Sequence, residues 1–194
     1  MAAPAGTLRI AVLQGLPFCA PISGIVSVIA TSHRASLLKS IFALLALLIA
    51  LPASAAQLTL ELDHTSKTWQ TDDLLTHPQV QTVQIVDDVS YKRTMSYRAV
   101  PLASLLPGLK PESHLQAIAL DGFAAELTAA PLLETRGARA WLAVEDPAQP
   151  WPALAEGKPS AGPFYLVWTN PQAGHISPEQ WPFQISRIKQ LKTV

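Results

Sequence analysis

Long helices are excluded along most of this chain by its prolines. Seventeen of the 194 residues are proline, and each fixes φ and removes a backbone donor, so a helix accepts one in its first turn but not in its interior. Apolar residues make up 49% and charged residues only 14%, so disorder is not expected for most of the chain. The apolar residues fall in short runs between turn signals. Gln57–Leu62 (QLTLEL) alternates as a half-buried strand, and Val80–Val86 (VQTVQIV) is the clearest strand of all. Asp87-Asp88 reads as a solvated bend, followed by a more polar, edge-lying strand over Ser90–Arg98. His114–Asp121, Ala138–Glu145 and Gly162–Thr169 are further strands, and Trp181–Leu191 is an extended closing segment. Asp121-Gly122 supplies turn chemistry.

Helical signals are few and brief. Thr71 caps a turn running through Asp72-Asp73-Leu74-Leu75, with acids near the positive N-terminus. Pro101 opens a second short helix whose Leu102, Leu105 and Leu106 share one face. Ala129–Leu133 begins a third. The segments Asp146–Ser160 and Asn170–Pro178 are irregular surface loops. Short strands and short helices without regular βαβ alternation predict an α+β fold with mixed β-sheets.

Three regions follow from composition. Residues 34–56 carry Arg34 and Lys39, the apolar run Ile41 to Leu51, and Pro52-Ala53-Ser54-Ala55-Ala56. A positive flank, a short apolar core and an Ala-x-Ala site are the parts of a secretory signal. The apolar run is well short of the roughly 20 residues that span a bilayer, so cleavage after Ala55 or Ala56 and a periplasmic or secreted product are expected, with no stable membrane span afterwards. Residues 1–33 fit that plan poorly, as a misassigned start or an unusual leader. Residues 57–194 are the folded domain.

That domain carries 11 Lys and Arg against 14 Asp and Glu, and it has no cysteine, the single Cys19 lying upstream. Disulfides, thiol catalysis and thiolate metal ligands are thereby excluded from it. Its charge gives no reason to expect a nucleic-acid partner. His64, His77, His114 and His175 share no metal-type spacing, and there is no nucleophile elbow, phosphate loop or dinucleotide fingerprint. No catalytic constellation emerges. Trp141, Trp151, Trp168 and Trp181 crowd the second half of the chain. Trp151, held between Pro150 and Pro152, reads as an exposed, rigid binding anchor.

Tyr97-Arg98-Ala99-Val100-Pro101-Leu102 with Leu105-Leu106, the turn Asp121-Gly122-Phe123, and Gly162-Pro163-Phe164-Tyr165-Leu166-Val167 together resemble the sulfite-oxidase-type oxidoreductase molybdopterin-binding domain, over about residues 57–190. The resemblance implies that family's fold. It also implies a molybdopterin cofactor with a metal-ligand cysteine just after the Val80–Val86 strand, where this chain has Asp87-Asp88. An Asp carboxylate is a harder ligand than the expected thiolate. The family's exported holoenzymes usually leave folded through the twin-arginine route, whereas Arg34 and Lys39 make no arginine pair.

The expectation is therefore an exported, probably cofactor-free module that binds a small ligand or a redox partner such as a c-type cytochrome. Two alternatives stand beside it: a molybdopterin-dependent oxidoreductase with a non-cysteine ligand, and a structural subunit of an envelope complex. Asp87 and Arg98 are the candidate cofactor-binding residues. Arg136 and Arg139, with guanidinium groups suited to phosphate, join Trp151 as candidate binding residues.

Overall fold

A computed structural model describes residues 55–192. The expected leader and signal segments, apart from Ala55 and Ala56, lie outside the described residues. Nine strands form two sheets around one continuous hydrophobic core, an α+β architecture with mixed strand pairing.

The first sheet has the order β2-β1-β9-β5-β6, built from β1 (Gln57–Leu62), β2 (Thr65–Gln70), β5 (His114–Ala119), β6 (Ala124–Thr128) and β9 (Ile185–Gln190). β9 runs parallel to β1 and antiparallel to β5. The period-two pattern of β1 sends Leu58, Leu60 and Leu62 into the core and leaves Gln57, Thr59 and Glu61 outward. β2 is absent from the sequence reading because TSKTWQ carries no apolar alternation. It is an exposed edge strand held by its antiparallel register with β1, with the Lys67 ammonium 3.5 Å above the Trp69 ring.

The second sheet has the order β3-β4-β7-β8, from β3 (Gln81–Ile85), β4 (Met95–Pro101), β7 (Arg139–Val144) and β8 (Phe164–Thr169). The expected edge strand over Ser90–Arg98 is corrected here. Pairing starts only at Met95, and β4 lies inside the sheet between β3 and β7. Ser90 and Tyr91 are spent on a turn whose backbone N–H groups bond the Asp88 carboxylate. β8 ends the sheet yet is buried along almost its whole length. The segment after Trp181 covers its outer side, Leu166 donating its N–H to the Pro182 carbonyl at 3.0 Å.

The three helices are α1 (Thr71–Leu75), α2 (Leu102–Leu105) and α3 (Ala129–Leu133), and all of them contact β7. Two of the predicted helix starts shift by a residue. Gln70, not Thr71, caps α1: its backbone is extended, and its N–H bonds the Asp73 carboxylate at 3.1 Å. Thr71 lies inside the helix, buried, with its hydroxyl on the Ala56 carbonyl. Pro101 closes β4 and stands just before α2, not within it.

One glycine is fixed by close approach. A β-carbon on buried Gly162 would overlap the Glu145 carboxylate, which is held by the Trp151 N–H (2.7 Å) and the Ser160 hydroxyl (3.0 Å). Gly162→Ala is expected to cost about 1–3 kcal/mol, the usual penalty for overpacking, read as a lower urea midpoint. An unchanged midpoint would show that Glu145 swings aside freely.

Candidate functional site

The largest cleft of the described residues, about 590 Å³, opens where the outer ends of β3 and β8 face one another. β3 contributes Gln84 and Ile85 and then continues into Val86 and Asp87, while β8 contributes Trp168 and Thr169 and continues into Asn170. Asp87 and Asn170, the first turn residue and the residue directly after β8, both have left-handed backbones, with φ of 53° and 51°. Asp and Asn tolerate that region better than most side chains. Ile85, Trp168, Ile176 and Trp181 form the apolar walls, and Gln84, Thr169, Asn170 and Gln172 bring amide and hydroxyl groups. Thr169 accepts a hydrogen bond from the Trp141 indole at 3.0 Å, which leaves its own hydroxyl proton to be donated.

The two aspartates of the bend part company. Asp87 is exposed and lines the cleft. Asp88 is fully buried, so the expected solvated turn is corrected for this residue. One of its oxygens accepts the Ser90 and Tyr91 N–H groups at 2.9 Å each and lies 3.2 Å from the Tyr165 hydroxyl, and the other accepts the Tyr97 hydroxyl at 2.8 Å. A buried carboxylate needs such partners. Burial, then the neighbouring Asp88 charge, pushes the Tyr97 hydroxyl far above the usual tyrosine range, and burial raises Tyr165 in the same direction. Both phenols stay protonated donors. Tyr91 extends the network, accepting the Ala161 N–H and donating to the Pro152 carbonyl, so the bend behind the cleft is tied to the 146–163 loop.

The other candidate residues lie apart from the cleft. Arg98 is on the outward side of β4, and its guanidinium donates to the Leu75 carbonyl at the end of α1. Arg139 stacks over Trp141, 4.4 Å from the ring centre. Arg136 lines a smaller hollow of about 330 Å³ with Glu134, which meets the main cleft only at Ile176. Trp151 is corrected from an exposed anchor to a half-buried ring, packed edge-on against Tyr97 with centroids 4.8 Å apart. Its flanking prolines shape the loop, but the Glu145 carboxylate pulls its backbone inward.

Asp87 is the only ionisable side chain in the cleft lining, which holds no thiol, imidazole, ammonium or guanidinium group. A single carboxylate without a paired acid, base or nucleophile can orient a donor or a cation, but it does not make a general acid–base pair. The pterin cofactor implied by the sequence resemblance asks for a soft thiolate and for cationic partners to its phosphates. These lining residues do not fit it. Among the described residues there is also no cluster of three or more His, Cys, Asp or Glu placed to hold a metal ion.

No protein-family model matches the chain, and no curated protein matches it. Among solved structures, it is similar to the sulfane dehydrogenase SoxCD from Paracoccus pantotrophus. The identity is 17% and the TM-score 0.46, over 71% of this chain and 38% of that one. The chain thus spans well under half of that protein's chain, and the likeness says nothing of activity.

Gln84, Thr169 and Asn170 escaped the sequence reading because polar residues at strand ends look like ordinary punctuation. A usable signal was present: Asp and Asn each directly follow a strand whose continuation needs a left-handed residue.

Proposed function

We propose that residues 57–194 form an exported, cofactor-free binding module whose site is the β3–β8 cleft. The observation that carries this reading is the lining itself. A sizeable concave space combines apolar walls, neutral hydrogen-bonding groups and one carboxylate, which is the composition of a recognition site without reactive machinery. The cleft is built largely from strand ends and a loop braced by Asp88, so its walls are preorganised.

One observation favours a second reading. Asp87 faces the cleft at the position where the resemblance implies a metal ligand, as a molybdopterin-dependent oxidoreductase with an oxygen ligand would require. Molybdenum and pterin content of the chain, exported from a cofactor-producing host, separates the two. The binding-module reading expects neither at stoichiometric level. About one metal and one pterin per chain would replace it with the enzyme.

A further inference from the structure

The cleft lies between two strand edges that have no strand beyond them, and the register fixes where their peptide groups point. Leu166 directs its N–H away from β7, to the Pro182 carbonyl, while the Glu145 N–H bonds the Pro163 carbonyl on the β7 side. Successive peptide groups of a strand alternate sides, so Trp168 also points away from β7. Carrying the alternation through the pairs Leu142↔Leu166, Val100↔Leu142 and Val83↔Tyr97 turns Thr82 and Gln84 away from β4. Among the described residues, neither the Gln84 nor the Trp168 N–H has a hydrogen-bond partner, and both residues line the cleft.

The chain itself already uses this edge. The segment from Gln180 to Gln184 runs along β8, bonded at the Trp168 indole, the Leu166 N–H and the Ala161 carbonyl. It leaves the Trp168 peptide group uncovered. Elsewhere β3 and β8 come within 8 Å of each other, too close for a further strand, which needs about 4.8 Å on each side. Only the open end, where the cleft is, has room.

We propose that this open end takes a short extended peptide, which hydrogen-bonds the Gln84 and Trp168 peptide groups and sets a basic side chain beside Asp87. Main-chain pairing at an open sheet edge gives such a site affinity for backbone, and alternate side chains give selectivity. Asp87, the one charge in the lining, selects lysine, arginine or a free amino terminus. This rests on the cleft being the binding site.

The test uses acetylated, amidated pentapeptides of alternating valine and threonine, with one lysine placed at each position in turn. Binding is read by fluorescence polarisation and by exchange of the Gln84 and Trp168 amides. At least one peptide is expected to bind and to slow both amides. N-methylation at alternate peptide bonds should weaken it about tenfold in one parity and little in the other, a lost hydrogen bond being worth about a decade. Asp87→Asn, an exposed change that keeps a left-handed-tolerant residue, should weaken the lysine peptide about tenfold and leave its norleucine counterpart unaffected. Equal loss, or none, in both N-methyl parities would overturn the pairing. If no peptide binds but small amines or polyols perturb the same amides, the peptide inference falls and the binding-module reading stands. If nothing perturbs them, both fall.

Discussion

Replacing Asp88 with alanine is expected to prevent stable folding, or to lower stability by about 4 kcal/mol or more. Four donors converge on this buried carboxylate: two backbone N–H groups and the hydroxyls of Tyr97 and Tyr165. Removing the acceptor leaves them in a place water does not reach, at about 1–3 kcal/mol for each buried group left unsatisfied. A domain of this size has about 5–15 kcal/mol in total. The comparison is with Tyr97→Phe, which deletes one donor and leaves the carboxylate three partners, for an expected loss of about 1–2 kcal/mol. Urea midpoints at constant slope give both numbers. An Asp88→Ala midpoint no lower than that of Tyr97→Phe would mean that the bend holds without its carboxylate, and that the cleft is braced elsewhere.

Asp88 also shows how far the sequence could be read. Its position after a clear strand was legible, because Val83 and Ile85 alternate inward as VQTVQIV requires. Its burial was not. Two adjacent aspartates look alike in a sequence, and only the tyrosines 9 and 77 residues away distinguish them. β1, β5, β7 and β8 were readable for the same local reason as β3, since their apolar residues repeat at the strand period or run unbroken through a buried strand. β2 was invisible because pairing with β1, and not burial, makes it a strand. The cleft was half legible. Asp87 could be singled out from its place after a strand, but the opposite wall comes from β8, about 80 residues further on. No spacing rule links residues that meet only through sheet order. The scattered arginines illustrate the converse: residue type suggested a phosphate site, and the topology distributes Arg98, Arg136 and Arg139 over different surfaces.

The same network predicts a steep loss of stability in alkali. Tyr97 and Tyr165 are held protonated in the fold, chiefly by burial, with the Asp88 charge acting in the same direction, whereas in the unfolded chain both titrate near an ordinary pKa of about 10. Above about pH 10 the unfolded state therefore binds fewer protons than the native state, and stability falls as pH rises. Their contribution is intact below about pH 10 and is lost progressively as pH climbs towards their raised native values. Each phenol contributes about 1.4 kcal/mol per pH unit, so the pair gives a slope near 2.7 kcal/mol per unit. Tyr91, also raised by burial, acts in the same sense. Urea midpoints from about pH 8 to pH 11.5, followed with the tyrosinate absorption band, should show phenol ionisation appearing together with unfolding. Tyr97→Phe should remove about half of the slope attributed to the pair, although it lowers stability at neutral pH. Tyrosinate that forms near pH 10 while the protein stays folded would show that these hydroxyls are open to solvent, and would remove Asp88 as the brace of the cleft.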